Sequence, residues 1–240
     1  MPAFGHRVGR RSWRPATVVD FGLTLSMPAR LTADTGVDAL THAVEAYVSR
    51  KADPFSDGLA LNAIRTIGHH LRRVYADGGD IEAREAKMLL AATQAGIAFS
   101  NSSVALVHGM SRPIGVLFHV AHGLSNAMLF PAVTAFPAHA AESRYADCAR
   151  ALGAATDRDG DALATDKLTE ALQALCQDLE VPTPKPTAST RTSGSACCPS
   201  WPSHGRADAR VRIARQQPRR THRARDPGSL RADLRLTPGE

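Results

Sequence analysis

"TGVDALTHAVEAYVS", Thr35 to Ser49, is the stretch on which the fold turns. At about 3.6 residues per turn, Val37, Leu40, Val44, Tyr47 and Val48 fall on one apolar stripe of a helix. Asp38, His42 and Glu45 point another way, and Asp38 stacks one turn below His42. Two readings of that second face stand. It is a solvated polar surface with a weak Asp–His contact, or it is a face turned toward something a carboxylate and an imidazole can hold together.

Outward from this helix the pattern stays helical. Asp53-Pro54 supplies an N-cap and a first-turn proline for a helix carrying Phe55, Leu59, Ile64, Ile67, Leu71 and Val74, which "YADGGD" ends. Ile81 to Phe99 is an alanine-rich helix, and "SNSS" breaks the chain before a helix over Val104 to Met110. "HGLSNAMLF" opens the next helix, which Pro131 kinks or ends. Ala138 to Leu152 and Asp161 to Leu179 complete an all-α body. Before it, Ala16 to Phe21 reads as a short β-like run, followed by turns and an extended link that closes at Thr32 to Gly36.

Charge separates the body from the C-terminal segment. From Pro186 onward, eleven arginines against four acids leave a surplus of +7, so the first 185 residues hold −1 of the +6 total. The basicity belongs to the end of the chain, and the body is no polyanion binder by charge. No run of about 18 apolar residues is present, so no membrane span is expected. The basic start, "MPAFGHRVGRRSWRPA", lacks the apolar stretch of a secretory signal. Cys148, Cys176, Cys197 and Cys198 show no disulfide-framework spacing, which points to a reducing, cytoplasmic setting.

Two more histidines stand in apolar surroundings in "ALVHGMSRPIGVLFHVAHGLSNAMLF". His108 is expected near the C-terminal end of a helix, and His122 at the start of the next. Neither position reads as exposed surface, and a buried imidazole needs a partner. With Asp38 and His42 they make the ligand set of a divalent transition metal: one carboxylate and three imidazoles. A zinc-hydrolase reading lacks the glutamate that would follow the first ligand as general base. Spacing alone leaves metal binding and an ordinary buried polar cluster both open.

"TGVDALTHAVEAYVS", "VHGMSRPIG" and "AHGLSNAMLFPAV" together resemble the metal-binding domain of the iron-containing (group III) alcohol dehydrogenases. The resemblance implies a helical domain over residues 31–185, preceded by an interdomain link over 1–30. It implies iron, or zinc in some members, held by Asp38, His42, His108 and His122. The activity implied is metal-assisted hydride transfer between a small alcohol or aldehyde and NAD(P), with no nucleic-acid or membrane partner. The family commonly forms dimers or larger assemblies, which admits a homo-oligomer.

Arg112 stands where many members carry a histidine tied to proton transfer, and arginine cannot act as a base at neutral pH. It reads either as a helix-end charge or as a fixed positive charge for oxygen-rich substrates. His119 is the alternative proton route, or an ordinary solvated histidine. The Gly-Gly-Gly-Ser phosphate loop of the family's nucleotide domain does not occur in the sequence.

Residues 186–240 are expected to be an irregular tail read out of frame. Arg215-Gln216-Gln217-Pro218 can be encoded so that a one-base shift gives Gly-Asn-Asn-Pro, close to the family's usual ending. A frameshift near Lys185 would have replaced the native C-terminal helices. These features also favour an alternative to the enzyme: a truncated remnant that binds metal without turning over alcohol.

Overall fold

A computed structural model describes residues 18–78 and 87–183. Seven α-helices and no strand are found among them: α1 (Ala29–Val48), α2 (Pro54–Ala76), α3 (Leu89–Asn101), α4 (Leu106–Phe118), α5 (His122–Ala138), α6 (Glu142–Leu152) and α7 (Asp161–Asp178). The all-α reading holds. The expected tail and its frameshift origin fall on residues 184–240, outside the described residues, as does the start of the helix expected from Ile81.

α1 is the central element and touches α2 to α6. Fourteen of its residues are buried, so both its apolar stripe and much of its polar face lie inside the molecule. It begins at Ala29, earlier than the sequence suggests, because Pro28 ends the extended link and Gly36 is a packing residue. A Cβ at Gly36 would sit 2.3 Å from Leu71 Cδ1 of α2, so its absence lets the two helices close. The core around α1 is built from Leu40, Ile64, Ile67, Leu71, Phe130, Leu168, Leu172 and Leu175, all at 0–1% exposure. Burying each such side chain contributes about 1.5–3 kcal/mol.

Polar ties fix how the helices meet. Asp53 accepts from the amides of Phe55 and Ser56, and the Ser56 hydroxyl stands 3.0 Å from the Asp53 amide, completing a capping box on α2. The Arg144 guanidinium of α6 lies 3.7 Å from the centre of the Tyr47 ring and pairs with Asp57 of α2. Tyr47 in turn donates to Asp147 at 2.7 Å. One arginine thus joins α1, α2 and α6.

Two local expectations are corrected and a third is narrowed. The described part of the β-like run is not a strand: the Asp20 carboxylate accepts from the Gly22 amide and turns the chain into a 3-10 segment, Phe21–Thr24. α4 does not stop at Met110 but runs through Pro113 to Phe118. The missing proline N–H costs that turn one hydrogen bond without stopping the helix. Of the two readings of Pro131, only the ending is excluded: α5 continues through it to Ala138.

Candidate metal centre

Asp38 and His42 come from the middle of α1, His108 from the first turn of α4, and His122 from the first residue of α5. The structure brings all four together. One ligand atom from each lies within 4.8 Å of the others. His108 is therefore at the opposite end of its helix from the sequence expectation, because α4 starts only two residues before it.

The spacing tests whether an ion fits. A tetrahedral ion with bonds of about 2.0–2.2 Å needs ligand atoms about 3.3–3.6 Å apart. His108 Nε2 is 3.3 Å from His42 Nε2 and 3.4 Å from Asp38 Oδ1. His42 Nε2 to Asp38 Oδ1 and His122 Nε2 to Asp38 Oδ2 are each 3.8 Å. These four separations run from 3.3 to 3.8 Å, and the whole set of ligand atoms lies within 4.8 Å. The donor set fits iron or zinc.

Burial is graded across the cluster. The His108 side chain is 2% exposed and those of Asp38 and His42 17–20%, while His122 is 53% exposed. The expectation that His122 avoids the surface is thus corrected: it forms the rim, because α5 begins at the surface with its N-terminus against α1. His122 leaves one side of the cluster open.

Each imidazole is held differently. His42 stacks on Phe99 of α3, with ring centroids 4.3 Å apart and planes 19° from parallel, while its buried Nδ1 has no hydrogen-bond partner. His108 Nδ1 is 2.7 Å from Glu45 Oε2. Asn126, one turn after His122, donates from Nδ2 to Asp38 Oδ1 at 2.6 Å and lies 3.1 Å from the Nε2 atoms of both His108 and His122. Its buried Oδ1 has no partner.

Glu45 and Asn126 are the site residues that sequence reasoning missed. The signal for Glu45 was present in its helical face, which it shares with Asp38 and His42. For Asn126 it was the four-residue spacing from His122.

The protonation pattern arises from these contacts. Burial, reinforced by the nearby His108, pulls the His42 pKa down to about 4 despite Asp38. Burial opposes charge on His108 too, but hydrogen bonds with Asp38 and Glu45 outweigh it and raise the pKa to about 9. Burial alone would raise Asp38, yet His108, His42 and Asn126 together hold it below its ordinary value. Asp38 stays ionised, as a cation site needs, while the proton that these contacts favour on His108 is one an incoming ion must displace, because a ligating imidazole is neutral.

Arg112 and His119 stand outside the cluster. Arg112 is exposed on α4, one turn beyond His108, and close enough for its charge to disfavour protonation of His42. His119 is exposed at the C-cap of α4 with a left-handed φ of 54°. Neither belongs to the group whose ligand atoms converge.

A sequence model of the Fe-containing alcohol dehydrogenase family, C-terminal part, matches residues 32–188. Long-chain-alcohol dehydrogenase 1 of Geobacillus thermodenitrificans (strain NG80-2) is 46% identical over 165 residues, covering 69% of this chain and 42% of its own. An NAD-dependent methanol dehydrogenase of Bacillus methanolicus is 39% identical over 165 residues, covering 69% and 43%. A crystal structure of 1,3-propanediol oxidoreductase superposes with a TM-score of 0.66 at 40% identity, over 68% of this chain and 42% of that one. The chain thus spans under half the length of these relatives.

Proposed function

This chain belongs to the iron-containing alcohol dehydrogenase family, and on that premise we propose that residues 31–185 form the metal-binding part of an alcohol dehydrogenase. Asp38, His42, His108 and His122 hold one divalent ion, iron first and zinc second. The reaction served is reversible hydride exchange between a small alcohol or aldehyde and NAD(P). The convergence of Asp38, His42, His108 and His122 from three helices, with ligand atoms within 4.8 Å of one another, carries this reading.

When bound, the ion supplies Lewis acidity toward an alcohol or carbonyl oxygen. The chain's own residues do the rest. Asp38 offsets the positive charge, and its carboxylate is oriented by the Asn126 amide. Phe99 excludes water from one face of His42. Arg112 places a fixed positive charge on the open side, where it attracts a substrate oxygen. His119, near the rim in sequence, is the side chain assigned to carry a proton to or from solvent.

The link expected over residues 1–30 lies outside the described residues up to 17, and the tail expected over 186–240 does so entirely. No single described helix is long and apolar enough to cross a membrane. Cys148 and Cys176 are both buried free thiols, which suits a cytoplasmic setting. The partners are a small alcohol or aldehyde, with no nucleic acid or membrane. The exposed Val116, Leu117 and Phe118 at the end of α4 suit a further protein surface, a second copy included.

A second reading is that the chain binds the ion without turning over alcohol by itself. One observation favours it: the 240 residues carry no Gly-Gly-Gly-Ser phosphate loop, and they span 42–43% of the two relatives' lengths. Metal analysis of the purified chain followed by NAD(P)-linked oxidation of short alcohols separates the readings. Stoichiometric metal with turnover supports the enzyme, stoichiometric metal without turnover supports the second reading, and absence of metal uptake refutes both.

A further inference from the structure

Glu45 ligates nothing, yet it is the most heavily engaged side chain around the centre. It is 3% exposed, sits three residues after His42 on α1, and reaches across to α4. Its Oε2 accepts from the Ala105 amide at 2.9 Å and its Oε1 from the Val107 amide at 2.5 Å. The His108 amide is 3.5 Å from Oε2, and His108 Nδ1 is 2.7 Å from the same oxygen. Four donors from one short segment thus converge on one carboxylate.

Helix starts leave backbone amides without partners, and a local Ser, Thr, Asp or Asn usually satisfies one of them. The residue at that position in α4 is Ala105, which offers no side-chain cap. The cap therefore comes from a different helix, the one that carries Asp38 and His42. The same oxygen that ends the amide row also faces His108 Nδ1. An imidazole that donates from Nδ1 keeps the Nε2 lone pair, and here Nε2 is the atom directed at His42 and Asp38. His42 has no such anchor, since its Nδ1 is unpartnered.

We infer that Glu45 is the positioning residue of this centre: one buried carboxylate docks the first turn of α4 onto α1 and fixes the His108 ring so that Nε2 points into the ligand set. The inference rests on the metal-site reading above and assigns its rigidity to a residue outside the ligands. Outer partners of this kind typically change metal affinity by about 10–100-fold when removed. Asp38 receives a lesser version of the same support from Asn126.

The full chain tests this with Co²⁺ and Zn²⁺ as probes. In Glu45→Gln the side-chain oxygen still accepts from backbone amides, so helix content by circular dichroism is retained. The amide cannot serve all four donors, so His108 loses its anchor and Co²⁺ affinity falls about 10–100-fold, read from the visible spectrum. In the zinc-loaded wild type, long-range ¹H–¹⁵N spectra show His108 protonated at Nδ1 with a slowly exchanging proton. A merely structural role would lower the melting temperature and leave the affinity of the folded fraction unchanged, and that result overturns the inference.

If Glu45→Gln does not fold, the wild-type spectrum decides alone. A His108 that lacks the Nδ1 proton, or ligates through Nδ1, overturns the inference. Wild type that takes up neither ion overturns the metal-site reading and this inference with it. Wild type and Glu45→Gln binding equally well overturn this inference only.

Discussion

Gly123→Ala is the sharpest mechanical probe of the centre. Gly123 follows His122 in the first turn of α5, and a Cβ there would lie 2.9 Å from the Asp34 carbonyl oxygen and 3.1 Å from its carbon. Ordinary contact begins at 3.4 Å, so α5 must retreat from α1 by the difference between 3.4 and 2.9 Å, which is 0.5 Å. The obstacle is backbone one turn before Asp38, so no side chain can swing aside. Overpacking of this kind costs about 1–3 kcal/mol, against at most about 1 kcal/mol gained from replacing glycine in a helix.

The retreat also equals the roughly 0.5 Å tolerance of a functional constellation. It carries His122 away from Asp38, where the ligand atoms already stand 3.8 Å apart. Thermal unfolding and zinc calorimetry should therefore show a melting temperature lower by about 2–6 °C and weaker zinc binding. Gly96→Ala in α3 is the control, because its Cβ meets nothing within 4 Å. That variant should gain up to about 1 kcal/mol and bind zinc as wild type does. Gly123→Ala indistinguishable from wild type in both measurements would refute the close α1–α5 contact.

Arg144→Ala should destabilise the chain by about 1.5–3 kcal/mol in denaturant titration, since it strips a charged hydrogen-bond partner from half-buried Asp57 and uncovers Tyr47. A loss below about 0.5 kcal/mol would show that the three-helix tie is dispensable. Arg112→Ala and His119→Ala should leave zinc affinity within about twofold of wild type, because neither side chain enters the ligand set. A larger loss from either would redraw the cluster. Asp159 should titrate at about 2, held low by Lys167 at 2.7 Å and by the Thr156 amide and hydroxyl. A carboxylate depressed in the fold stabilises above its unfolded value of about 3.9 and loses that contribution as pH falls toward 2. A ¹³C carboxyl midpoint near 4 in the folded chain would contradict it.

That Asp38, His42, His108 and His122 would meet was legible in part, because Asp38 and His42 share a helical face and His108 sits in apolar sequence. What the sequence hid is tertiary. Gly36 and Thr32 look like turn residues, and only the approach of Leu71 shows that Gly36 belongs inside α1. Val104 to Met110 suggested a short helix ending near His108, because a cap supplied by Glu45 from 60 residues away leaves no local trace. The exposure of His122 depends on where α5 meets α1, which periodicity does not encode. The α2 start was read correctly since its capping box is entirely local.

X-ray absorption on the zinc-loaded full chain, with metal content measured in parallel, tests the four-ligand centre most directly. One ion per chain is expected, with three imidazole nitrogens and one carboxylate oxygen at about 2.0–2.2 Å. Uptake well below one ion per chain, or a shell with fewer than three imidazoles, would contradict it.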